Sequence, residues 1–233
     1  MITANGIDRV RLIIEFPHDS VVNKMVTLTT DLGVLDPTAQ GAIRATRTLT
    51  TNGAGSLSTL LYAGSDSGEA LVRATIGTAT AELLVTIAPA LPTELGLIAS
   101  PAILEIGGAR ESDLKVSLDN TSEPRATVSA GLDVHFGSCS ARGRIADVPK
   151  IVRNKAEDPG HVTAILALNA AGEGITHEVG SAVELFVYAY VLKQGEPAPM
   201  LTDNAPCATL ADVEAEMPAI HAVRMIEVRR KTE

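Results

Sequence analysis

Tryptophan is absent from the 233 residues, and Phe and Tyr supply three each, so aromatics make up only 3% of the chain. Sugar sites are commonly built on aromatic platforms, and a carbohydrate-binding module is the weakest of the binding classes for this composition. The core must come from Val, Leu, Ile and Ala. Cysteine is nearly missing too. Cys139 and Cys207 are the only two, too few for a disulfide framework. They leave two alternatives open, a pair of reduced thiols or one clip between the C-terminal tail and the second of two domains. No apolar run approaches the ~20 residues that a membrane helix needs. The opening Met1-Ile2-Thr3-Ala4-Asn5-Gly6 has no basic stretch followed by an apolar one, so no export signal is visible there. Positive charge is in deficit: the net charge of −9 argues against a nucleic-acid partner, because phosphate binding wants a basic face.

What is present is apolar, small and β-forming. The hydrophobic fraction is 45% and the mean hydropathy +0.20, well outside the disordered range. Thr48 to Ile87 is the most informative stretch. Its short Thr-rich apolar runs are broken by Asn52-Gly53, Gly64-Ser65-Asp66-Ser67-Gly68 and Ile76-Gly77-Thr78, the pattern of successive antiparallel strands joined by tight turns. Upstream, Val10, Leu12, Ile14 and Phe16 alternate with Arg9, Arg11 and Glu15, a half-buried strand. Pro17-His18-Asp19-Ser20 reads as a turn, and Lys24 to Thr30 as a second strand. Val34 to Ala45 is a longer connection of the kind that crosses between sheets, and Pro89-Ala90-Leu91-Pro92 is a stiff linker.

The pattern then returns. Leu114, Val116 and Leu118 repeat Leu12, Ile14 and Phe16 at an offset of 102. Val134-His135-Phe136 repeats Val26-Thr27-Leu28, Gly160-His161-Val162 repeats Gly55-Ser56-Leu57, and Glu184-Leu185-Phe186-Val187 matches Glu82-Leu83-Leu84-Val85. Ordered matches of this kind indicate a duplicated domain. The predicted fold class is all-β: two tandem immunoglobulin-like β-sandwiches, residues 1–89 and 93–193, followed by a C-terminal arm over 194–233. The inward set is Leu12, Ile14, Phe16, Val26, Leu28, Leu57, Leu83 and Val85, then Leu114, Val116, Leu118, Val134, Phe136, Val162, Leu185 and Val187. In the tail, Thr209 to Met217 reads as a short helix and Ile220 to Arg229 as a strand or extended arm, ending in Arg229-Arg230-Lys231.

In the first repeat, Asn5-Gly6, Val26-Thr27-Leu28-Thr29-Thr30, Gly33-Val34-Leu35, Thr51-Asn52-Gly53-Ala54-Gly55 and Val72-Arg73-Ala74-Thr75-Ile76-Gly77 follow one another in order. This succession resembles the bacterial immunoglobulin-like domains of the invasin and intimin type. The resemblance covers about residues 3–88 well and 93–192 loosely, and stops before the tail. Leu28 stands where the family usually has an aromatic, and Asn5-Gly6 where it has Asp-Gly. It implies a sandwich fold and says little about function, since this fold serves many roles.

Nothing in the chain assembles into a catalytic constellation. Gly64-Ser65-Asp66-Ser67-Gly68 has Asp, not Ser, at its centre and lies between strands, so it is a hairpin loop and not a nucleophile turn. His135 and Cys139 have a metal-ligand spacing only on a helix. His161 and His177, with Asp158 and Glu178, lack the paired spacing of a zinc site. Asp31, Asp36 and Asp119 fall in predicted loops without the Asp-x-Asp clustering of a calcium site. The prediction is a non-enzymatic protein with no cofactor and no bound metal. An unsignalled start at Met1, repeated sandwiches and a surplus arm favour a bacteriophage virion component of the tail, baseplate or capsid surface. Such a component is made in the host cytoplasm and is bound to copies of itself or to other particle proteins. The alternative is a bacterial cell-surface adhesin segment. Neither reading calls for a nucleic-acid partner or membrane insertion. Subtracting 102 from the opening strand Thr93 to Ser100 places its first-repeat equivalent before Met1. The first sandwich is therefore expected to expose an edge, and the arm carrying Val223, Met225 and Val228 is the candidate to fill such an edge by strand addition.

Overall fold

The computed structural model describes residues 1–16, 22–35, 46–121, 126–155, 160–169, 182–201 and 206–230. The chain divides into two units, Met1–Ala90 with Ser122–Ala130, and Leu91–Thr121 with Gly131–Glu233. The turn expected at 17–20 lies outside the described residues, as do most of the 34–45 connection and Lys231.

The first unit is a two-sheet sandwich. One sheet holds β1 (Ile2–Ala4), β8 (Ala79–Pro89), β7 (Gly68–Ile76), β3 (Met25–Thr30) and β5 (Thr46–Thr50), in that order. The other runs β2 (Arg9–Glu15), β6 (Ser56–Tyr62), β4 (Val34–Leu35). Period-two alternation dictates what is buried: Val26 and Leu28 from β3, Leu57 and Leu61 from β6, and Val85 and Ile87 from β8 close the core from both sheets. Gly33 turns the chain into β4 with φ +77°, and a Cβ there would stand 2.6 Å from the Tyr62 carbonyl oxygen, so the position requires glycine. Residues 126–130, downstream in sequence, belong to this unit. Thr127 N–H donates to the Asn5 carbonyl at 3.0 Å, and Ser129 Oγ donates to the Ala4 carbonyl at 2.9 Å while accepting from Ala90 N–H at 2.7 Å.

The second unit repeats this plan strand for strand, with one addition. Its sheets are β10 (Ile103–Ile106), β17 (Ile220–Arg230), β16 (Ala182–Val191), β12 (Asp133–Ser140), β14 (Ile151–Arg153), and β13 (Ala146–Asp147), β15 (His161–Leu168), β11 (Glu111–Asp119), β9 (Glu94–Ser100). Parallel pairing of β10 with β17 mirrors that of β1 with β8. Antiparallel pairing of β11 with β15 mirrors that of β2 with β6. The addition is β9, which pairs antiparallel with β11 and has no counterpart beside β2 among the described residues.

Two expectations change. The extended arm is not free: Ile220–Arg230 is β17, an interior strand between β10 and β16. Of its three candidate assembly residues, Val228 is buried in the core, Val223 lies on the outer face of the sheet, half-buried in an apolar cluster there, and Met225 is 47% exposed. The residues from 194 onward therefore complete the second unit instead of forming a separate tail. The fourth sequence match also paired the wrong strands. β8 corresponds to β17, and Glu184-Leu185-Phe186-Val187 lies in β16, the counterpart of β7.

The inward set of the second unit is buried throughout. In the first, Leu12, Val26, Leu28, Leu57 and Val85 are buried, Ile14 and Phe16 are half-buried against the core, and Leu83 is 53% exposed. Leu83 shares the face of Val85 and Ile87 but lies in the stretch of β8, residues 79–84, that is exposed throughout. Because Phe16 keeps part of its ring in solvent, Phe16→Ala is expected to cost about 1–2 kcal/mol in a urea titration, below the ~3–5 of a fully buried Phe. A loss above 3 kcal/mol would mean that the ring is closed off from water.

Candidate interaction surface

β12 and β16 are buried on both faces along their central residues, which sandwich strands with one solvated face are not. The inner face carries Val134, Phe136, Leu185 and Val187. The outer face carries Cys139, Phe186, Tyr188 and Tyr190, and a second apolar cluster forms over it with Leu201, Cys207, Val213, Met217 and Val223. The connection from β16 to β17 supplies the cover through its described residues, 192–201 and 206–219. In the first unit the same connection is the two-residue turn Gly77-Thr78.

Several local features hold the cover in place. Cys207 forms a disulfide with Cys139 across 68 residues of sequence, so the clip is the alternative that the structure adopts. Cys207 N–H also donates to the Ser140 carbonyl at 3.2 Å. Helix α1 (Leu210–Glu216) starts where Thr209 and Asp212 form a capping box, with Thr209 accepting from Asp212 N–H and the Asp212 carboxylate accepting from Thr209 N–H. One turn in, Val213 is fully buried against the sheet. Gly137 leaves room for the Tyr188 ring, which a Cβ would strike. Tyr190 stacks on His135 with ring centroids 4.9 Å apart and planes 9° apart. Two of the chain's three tyrosines are thus spent under this cover.

Glu196 brackets the cover at both ends. Its carboxylate accepts from Lys193 N–H at 2.9 Å and from Ala219 N–H at 3.2 Å. These bonds, first that from Lys193 and then that from Ala219, hold its pKa below the ordinary carboxylate value, against a small opposing effect of burial and with help from the Lys193 charge. A depressed folded pKa contributes stability that is present above the unfolded value, about 4.3, and lost as pH falls through the folded one. The Lys193 and Ala219 amide resonances are accordingly expected to shift together below about pH 4.3, and Glu196→Gln should abolish that shared step. Independent titration of the two amides would break the bracket.

Outward, the cover shows Met200 and Leu210 to solvent alongside Asp212, Glu214 and Glu216. That is a mixed apolar and acidic surface on a connection fixed to a rigid sheet, where binding residues commonly sit.

Among the described residues, the others singled out from sequence do not converge. Cys139 is in the disulfide and His135 is stacked, so this pair is no metal site. His161 opens β15, while His177, Asp158 and Glu178 lie outside the described residues. Asp31 accepts from Leu71 N–H at 2.8 Å, Asp119 ends β11, and Asp36 is outside the described residues. Ser65 spends its carbonyl on Ala130 N–H at 2.8 Å, and Asp66 is exposed in the connection from β6 to β7, which crosses between the two sheets and is not the hairpin that the sequence predicts. Among the described residues no three His, Cys, Asp or Glu side chains gather around a common point. No helix among them is long and apolar enough to cross a membrane.

The two sandwiches define the class: tandem immunoglobulin-like domains. No protein-family model and no curated protein matches the chain. Among solved structures, the Yersinia pseudotuberculosis adhesin InvE matches 99% of this chain and 56% of its own, with a TM-score of 0.55 and 17% identity. Invasin, described as a bacterial integrin-binding protein, matches 100% of this chain and 37% of its own, with a TM-score of 0.49 and 14% identity. The chain thus spans little more than half of the first structure and about a third of the second. At these identities the likeness is one of fold, an immunoglobulin-like β-sandwich.

Proposed function

We propose that this chain is a non-enzymatic, adhesin-like segment displayed at a bacterial cell surface, with its sandwiches carrying the disulfide-anchored cover as a binding face. The observation that carries the reading is the Cys139–Cys207 disulfide, which fastens the connection bearing α1 to the outer face of β12. Disulfides form and persist in oxidising compartments and are rare in the cytosol, so a protein relying on one belongs outside the cytoplasm. The invasin-type fold supports the same reading. The test is a thiol-alkylation gel shift combined with protease shaving of intact cells that make the protein. Blocked thiols and a chain lost to external protease are expected. Reduced thiols and full protection inside the cell would overturn the reading, and recovery of the chain in purified phage particles would favour the virion component instead.

A further inference from the structure

In the second unit β9 lies along β11, with Leu95 opposite Leu118, Leu97 opposite Val116, and Ala99 opposite Leu114. It also packs against β16 and β17, across the gap between the sheets. The first unit has the same site, with no strand in it among the described residues. Among the described residues β2, the counterpart of β11, pairs with β6 alone and is an edge of its sheet. Beside it runs a groove of about 280 Å³ whose lining is mostly apolar, with Leu12, Ile14, Val72 and Leu83, and includes Glu15 and Glu82. Side chains report the difference directly. Val116 and Leu118 are buried, whereas their counterparts Ile14 and Phe16 are half open, and Ile13 is 65% exposed. An unpaired edge flanked by open apolar surface is a template for another strand.

We infer that the β2 edge is a docking position for an extended segment of another polypeptide, added antiparallel, with apolar side chains at alternate positions and an acidic residue facing Arg11. The register of β9 on β11, moved by 102 residues, specifies the occupant. It needs a small residue opposite Leu12, a Leu-sized residue opposite Ile14, another opposite Phe16, and an apolar one on the outer face opposite Ile13, where Ile98 stands opposite Lys115 in the second unit. The position opposite Arg11 corresponds to Ser100, which faces Asp113 there. Arg11 is exposed and makes no ion pair among the described residues. That reversal of charge separates the missing strand from a copy of β9. Main-chain hydrogen bonds would supply affinity and alternate side chains selectivity, as in other strand additions.

The test uses the full chain and a synthetic peptide of residues 93–101, in its native sequence and with Ser100→Asp. Amide exchange is followed over β2. Both peptides are expected to slow exchange from Arg9 to Glu15 saturably, with the Ser100→Asp peptide about 1.4- to 5-fold tighter, the range of an opposite-charge cross-strand pair. Arg11→Glu, an exposed change, should reverse that order. A peptide carrying Leu97→Lys should leave β2 unaffected. Unchanged β2 exchange at millimolar peptide overturns the inference. So does concentration-dependent dimerisation that protects β2 without peptide, which would give the edge to a second copy.

Discussion

Cys207→Ser is expected to lower the stability of the second unit by about 4 kcal/mol, and a reducing agent should do the same to the native chain. The bond closes a loop of 68 residues, for which the loop-closure entropy removed from the unfolded chain is worth roughly 4.4 kcal/mol at 25 °C. Both sulfurs are buried, so the unpaired partner is left in an apolar layer with Phe186, Tyr188 and Val213. The effect should be graded in space. Cover residues such as Val213 and Leu201 should lose exchange protection first. β3 and β6, which lie in the first unit, should keep theirs. Urea midpoints with and without reductant measure the total. Equal midpoints would show that the cover holds without the bond, and the argument for an oxidising compartment would go with it.

The cover was the part least legible in the sequence, for a physical reason. Alternation announces a strand and its inner face, and Leu114, Val116 and Leu118 could be assigned because period two leaves no other face for them. It does not announce what covers the outer face. Phe186 and Tyr188 alternate with Leu185 and Val187, so β16 reads as a continuous apolar run. The repeat assigns Leu185 and Val187 inward, but only the packed structure tells that Phe186 and Tyr188 are covered in turn on the other face. A two-cysteine chain offers no framework to infer pairing from, so the clip stayed one of two alternatives. The insertion of residues 192–219 also hid the strand order. With more than two dozen residues where the first unit has a two-residue turn, β17 looked like surplus and β16 was matched to β8. The segment 126–130 misled in the same way, because nothing local in Ala126 to Ala130 says which unit it joins. The open edge of β2 among the described residues is the part that comparing strands in two copies of one pattern points to, because alternation announces strands locally.

Placing β17 inside the sheet makes removal of residues 218–233 the most damaging change considered, with an outcome unlike the loss of an assembly arm. Such an arm could be cut away and leave a folded chain that fails to associate. β17 instead pairs over ten positions with β16, from Val191 opposite Ile220 to Ala182 opposite Arg229, and over four with β10. Ile226 and Val228 are fully buried, as is Leu104 on the strand that β17 holds to the sheet. Each such side chain contributes roughly 1.5–3 kcal/mol by burial, and the truncation also strips ladder partners from two strands. Together these approach the whole stability of a domain, about 5–15 kcal/mol. The truncated chain is therefore expected to lose amide protection throughout β16 and β10. Two point variants check the register without removing the strand. Ile226→Ala should cost about 2–5 kcal/mol, whereas Met225→Ala, on the exposed side, should stay within about 1 kcal/mol. The order of those two numbers is the decisive result. If Met225 proved the costlier position, β17 would present its other face to the core. If the truncated chain kept β16 protected, Ile220–Arg230 would be dispensable and an assembly role for Val223, Met225 and Val228 would return.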